Sequence, residues 1–112
     1  MKAKTLISFD SVWQSPDAEG KPLKKSGNEV VDNYLSLVRR NYTADLRDYV
    51  KMMGCTVTEL NVLINYFTGL SPQKWRVELI LRDTKWYLLH TDMRIQEVAA
   101  KMDFAVHQGL TL

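Results

Sequence analysis

Residues 54–75 run Gly54-Cys55-Thr56-Val57-Thr58-Glu59-Leu60-Asn61-Val62-Leu63-Ile64-Asn65-Tyr66-Phe67-Thr68-Gly69-Leu70-Ser71-Pro72-Gln73-Lys74-Trp75. Leu60, Leu63, Ile64 and Phe67 recur at steps of three and four, which is the spacing of one face of an α-helix. Thr56 or Thr58 can cap its start, and Thr68-Gly69 closes it. At the front, Gly54 offers the left-handed stop that ends a preceding helix. At the back, Ser71-Pro72 is a cap followed by proline at the first helical position, where the missing N–H is not needed. The stretch therefore holds the end of one helix, the whole of a second and the start of a third.

Working outward, Leu46, Tyr49, Val50 and Met53 share the inner face of the preceding helix, which Thr43 can cap, with Asp45, Arg47, Asp48 and Lys51 outside. Before that, Val30, Val31, Tyr34, Leu35 and Val38 place a helix up to about Arg40, with Asn28 as its cap. Downstream, a long helix runs to about His90, burying Trp75, Leu79, Leu88 and either Trp86 or Leu89. Thr91 or Asp92 opens a short helix through Ile95, Val98, Ala99 and Met102, and a last start falls near Ala105 to Leu112. Met1 to Gly27 differs: Leu6, Ile7, Phe9, Val12 and Trp13 form one apolar patch among Ser, Asp, Pro, Gly and Lys. It reads as an N-terminal arm or linker, with Leu6 to Phe9 able to pair as a short strand. Two expectations stand for the arm: that it packs on its own domain or on a neighbour's, or that it is a disordered remnant of an upstream linker. No βαβ pattern occurs, and the predicted class is all-α.

With 112 residues, 46% hydrophobic and 25% charged, the chain has room for one domain with a real core and no need of disulfide or metal staples. Its one cysteine, Cys55, cannot pair within the chain, which points to a reducing, cytoplasmic setting. The longest uncharged stretch, from Leu60 up to Lys74, is broken by polar residues, so no membrane span is expected. His90 and His107 have no acidic or thiol neighbour at coordinating spacing, and neither forms an acid–base pair with an Asp. No catalytic residue, cofactor or metal is predicted.

Charge is nearly balanced: 15 Lys+Arg against 13 Asp+Glu, a net +2. That sum alone announces no polyanion partner. Its distribution is uneven. Arg39, Arg40, Arg47 and Lys51 cluster before residue 54, and Lys74, Arg76, Arg82 and Lys85 after residue 70, while residues 54–69 carry only Glu59.

The pattern of short helix, tight turn and second helix occurs twice, at Leu46 to Thr68 and at Ile95 to Leu112. Leu46, Gly54, Thr56, Leu60, Leu63, Thr68-Gly69, Ser71-Pro72, Trp75 and Leu81, then Ile95, Glu97-Val98-Ala99, Phe104 and Leu110, fall in register without a gap with one family. Over Leu46 to Leu112 the chain resembles the DNA-binding domain of AraC/XylS-type transcription regulators. The resemblance implies a homeodomain-like domain over 28–112, behind the arm of 1–27. Two helix-turn-helix units, about 43–69 and 92–112, would be joined by a linker helix at about 72–90. Each unit would set its second helix in a major groove of double-stranded DNA, as in a bacterial regulator that recognises a specific sequence.

By position, the resemblance makes Thr58, Asn61, Val62 and Asn65 the base-contact candidates of the first unit, and His107 and Gln108 those of the second. Lys51, Thr56, Lys74, Arg76 and Thr111 become candidates for phosphate. The sequence also departs from the family. Val62 stands where it usually has Arg, and Asn65-Tyr66 where it usually has two basic residues. Val77, Glu78 and Ile80 occupy positions that are often basic, and Asp103 replaces the turn glycine. The second unit is expected to be incomplete, since the sequence stops part-way through its recognition helix. These losses leave a second expectation open: a protein-interaction or oligomerisation module on a degenerate helix-turn-helix scaffold. Because Tyr66 and Phe67 are adjacent and cannot both face the core, one should show at the surface and support self-association, as the arm could.

Overall fold

The computed structural model describes residues 6–16 and 22–102. Within them the chain is all-α: helices α1 (Glu29–Arg40), α2 (Leu46–Met53), α3 (Val57–Thr68), α4 (Pro72–His90) and α5 (Ile95–Lys101), preceded by one 3-10 turn at Phe9–Ser11. Asp103 to Leu112, with His107, Gln108 and Thr111, lies outside the described residues.

The helix boundaries follow local chemistry. The Asn28 side chain accepts hydrogen bonds from the Val30 and Val31 amides and starts α1. Helix α3 begins with a capping box in which Thr56 accepts from the Glu59 amide while the Glu59 carboxylate accepts from that of Thr56. Ser71 caps α4 by accepting from Lys74, with Pro72 at the first helical position. Helix α2 starts from Asp45 rather than Thr43, through a reciprocal box with Asp48. A carboxylate there also meets the positive end of the helix dipole. Neither Thr91 nor Asp92 caps α5, which starts after Arg94 without a side-chain cap. Thr91 ends α4 instead, its hydroxyl donating back to the Tyr87 carbonyl.

Gly54 closes α2 at φ 75°. A Cβ at Gly54 would meet no atom within 4 Å, so only backbone strain opposes a side chain. Gly54→Ala is therefore expected to cost about 1–2 kcal/mol of unfolding free energy in urea titrations, and Gly54→Asn less. An unchanged midpoint for Gly54→Ala would show that the turn adopts another conformation.

Two apolar clusters fill the interior. The larger joins Val31, Tyr34, Leu35 and Val38 of α1 to Tyr49 and Val50 of α2, Leu60 and Ile64 of α3, and Trp75 and Leu79 of α4. The smaller gathers Tyr42, Ile80, Tyr87, Val98 and Met102 around the far half of α4. Helix α4 contributes to both clusters, with α1, α3 and α5 packed on it.

The arm belongs to the larger cluster. Val12 is fully buried there, Phe9 lies on Trp75 with ring centroids 4.9 Å apart, and the Lys24 amide donates to the Val12 carbonyl at 2.9 Å. The expected strand at Leu6 to Phe9 does not form. Among the described residues no strand offers an edge to pair with, and the Ile7 amide donates to the Phe67 carbonyl at the end of α3. On the expected inner face of α4, Trp75 and Leu79 are buried and Leu88 half-buried, and of the two alternatives Trp86 packs inward while Leu89 is exposed.

Candidate nucleic-acid interface

Helix α3 is seated by Leu60 and Ile64, both buried, and by half-buried Phe67. Its opposite side presents Thr58, Asn61, Val62, Asn65 and Tyr66, all exposed. Asn61, Val62, Asn65, Tyr66 and Ser71 line one shallow depression, so all the base-contact candidates of the first unit except Thr58 share a concave surface. Of the adjacent aromatic pair, Tyr66 is the surface member, 60% exposed, and Phe67 the inner one, with the rings edge to face at 5.1 Å.

The phosphate candidates fare unequally. Lys51, in the last turn of α2, and Lys74, in the first turn of α4, are exposed. Thr56 is exposed but engaged in its capping box, and Glu59 beside it places a negative charge at the start of α3. Arg76 is not a surface residue. It is buried, donates to the Tyr42 and Ala44 carbonyls and lies over the Tyr49 ring at 5.5 Å. The loop between α1 and α2 leaves those carbonyls without helical partners, and the guanidinium satisfies them. Ile80, a position often basic in the family, is fully buried here and belongs to the smaller cluster.

The sequence reading also missed a buried network. Asp83, fully buried on α4, accepts from Arg39 Nη2 at 2.7 Å and Trp13 Nε1 at 3.0 Å on Oδ1, and from Arg39 Nε at 3.0 Å and the Tyr42 hydroxyl at 2.6 Å on Oδ2. Burial, with Asp83 beside it, holds the Tyr42 hydroxyl far above the usual phenol range. Arg39 gives its remaining reach to the Pro22 carbonyl at 2.9 Å. Arg82 pairs with Glu78 at 2.8 Å and with Asp10 of the arm. Arg39 and Arg82 are thus spent on holding the arm, α1 and α4 together, and Arg76 on tying α4 to the loop after α1.

The chain matches no family model, no curated protein and no solved structure. What the α3 face can do follows from its side chains alone. An asparagine amide can donate and accept at once, as an adenine edge requires, and Asn61 and Asn65 stand one turn apart. Thr58 and Val62 offer methyl groups that suit thymine. Burial, then the charge of Glu59, pushes the Cys55 thiol up, away from the reactive thiolate form. Among the described residues no cluster of His, Cys, Asp and Glu is arranged to hold a metal, and no helix is long and apolar enough to cross a membrane.

Proposed function

We propose that this chain binds double-stranded DNA with α3 as its recognition helix, as a non-enzymatic part of a transcription regulator of the AraC/XylS kind. The observation that carries the proposal is the outer face of α3, where Asn61 and Asn65 share an exposed depression while the inner face is locked by Leu60 and Ile64. The turn from α2 into α3 through left-handed Gly54 supports the same assignment. So do Lys51 and Lys74, which stand on the helices to either side.

Few cations remain for phosphate, so affinity should be modest and its salt dependence shallow. In fluorescence-anisotropy titrations with mixed-sequence duplex, two phosphate contacts predict a slope of log K against log salt of about −2. Lys51→Ala and Lys74→Ala should each reduce that slope by about one and weaken binding to all duplexes alike. Asn61→Ala with Asn65→Ala should instead flatten discrimination among sequences, at about 1–3 kcal/mol per lost adenine contact. Absence of binding at low salt overturns the proposal.

Val62 and Tyr66 favour a second function for the same face, as a protein-interaction surface. They are 62% and 60% exposed, beside exposed Leu70, where phosphate-facing helices carry charge. Failure of DNA binding together with self-association lost in Tyr66→Ser would establish it.

A further inference from the structure

The outward face of α4 is apolar where a surface helix is ordinarily polar. Inward, α4 carries Trp75, Leu79, Ile80 and Tyr87, all buried. Outward it carries Val77, Leu81 and Leu89, with Leu81 40% and Leu89 66% exposed. A helix apolar on two sides normally has both covered. Two depressions that share Glu78 run along this face: Lys74 and Val77 line one, and Leu81, Lys85, Trp86 and Leu89 line the other.

The charges on the face say what would cover it. Glu78 is held by Arg82, and Arg82 is held by Asp10 as well. Lys74 and Lys85 enter no ion pair among the described residues. Two uncompensated cations thus lie roughly 16 Å apart along the helix, beside an apolar stripe. A second copy of this chain is a poor fit. Antiparallel pairing that sets Leu81 on Leu89 also sets Lys85 on Lys85, and parallel pairing in register sets each lysine on itself.

We propose that the outward face of α4 docks an amphipathic helix of a protein partner, whose apolar ridge covers Val77, Leu81 and Leu89 and whose acidic residues meet Lys74 and Lys85. This is helix-in-groove recognition with charge setting the orientation. It uses a different helix from the DNA-reading face and shares only Lys74 with the proposed phosphate contacts, so it does not depend on that reading.

The test presents the full chain with two labelled synthetic amphipathic helices of identical leucine ridge, one flanked by glutamates and the other by lysines at the same places. Fluorescence anisotropy should show the glutamate peptide bound at least about tenfold more tightly, the effect of 1.4 kcal/mol. Leu81→Ser with Leu89→Ser should abolish that binding. Lys74→Glu with Lys85→Glu should reverse the preference, and Asn61→Ala with Asn65→Ala should leave it unchanged. All the altered side chains are exposed, and far-UV circular dichroism checks that each variant folds. Equal affinity for the two peptides, or binding of neither, overturns the proposal. So does a dimer in sedimentation that the leucine variants dissolve.

Discussion

Asp83→Ala is expected to destabilise the protein by about 3–5 kcal/mol, a large share of the total for a domain of this size. The carboxylate is fully buried and saturated, with two donors on each oxygen. Removing it leaves the Arg39 guanidinium charged and 1% exposed, with only the Pro22 carbonyl as a remaining partner among the bonds described. It also takes the acceptor from the Tyr42 hydroxyl and the Trp13 indole, each costing about 1–3 kcal/mol if it finds no substitute. Urea unfolding followed by Trp fluorescence measures the loss. Replacing both charges, with Arg39→Met and Asp83→Leu, should recover part of it, because no ion is then buried alone. Recovery should stop short of the parent, since Tyr42 and Trp13 still lack an acceptor. A loss under about 1 kcal/mol for Asp83→Ala would mean that water reaches Arg39.

That network also shows which parts of the molecule can be read from sequence. The caps of α1, α3 and α4 are legible because their partners lie within three residues: Asn28 with Val30, Thr56 with Glu59, Ser71 with Lys74. The inner faces of α1 to α3 are legible because one helical period sorts them. Arg39 and Asp83 are 44 positions apart, and no local rule pairs them. The available signal is a charge at an inward position: Asp83 follows Leu79 and precedes Tyr87 at four-residue steps, so it had to face the core and find a cation there. The same kind of tertiary contact removed Arg76 from the phosphate candidates. Its carbonyl partners exist only once the loop between α1 and α2 is in place. The choice between Trp86 and Leu89 stays open in the sequence for the opposite reason. Helix α4 is apolar on two sides, and periodicity alone cannot say which of them the rest of the chain covers. The α3 face was the most legible part of the site, since a helix with one seated side must show the other.

Trp75→Ala should cost a similar amount, about 3–5 kcal/mol, for a reason that reaches the arm and the candidate interface together. The indole is fully buried, donates to the Thr68 hydroxyl at 2.8 Å and lies against Phe9. Thr68 Oγ1 in turn donates to the Ile64 carbonyl at 2.6 Å and accepts from the Leu70 amide at 3.1 Å. Through one side chain, Trp75 ties the start of α4 to the end of α3 and to the turn that follows. Trp75→Phe keeps most of the volume but not the N–H, and should cost far less than alanine, the difference reporting packing rather than the hydrogen bond. Phe9 makes the decisive comparison. If the arm is docked as a structural part of the domain, Phe9→Ala destabilises the parent protein, and in the Trp75→Ala background it costs less by about 0.5–1.5 kcal/mol, the coupling of an aromatic pair. Strict additivity in that cycle would mean that Phe9 and Trp75 do not touch in solution. It would remove the packing that brings the Ile7 amide to the Phe67 carbonyl, so the arm could then be cut away without loosening the end of α3.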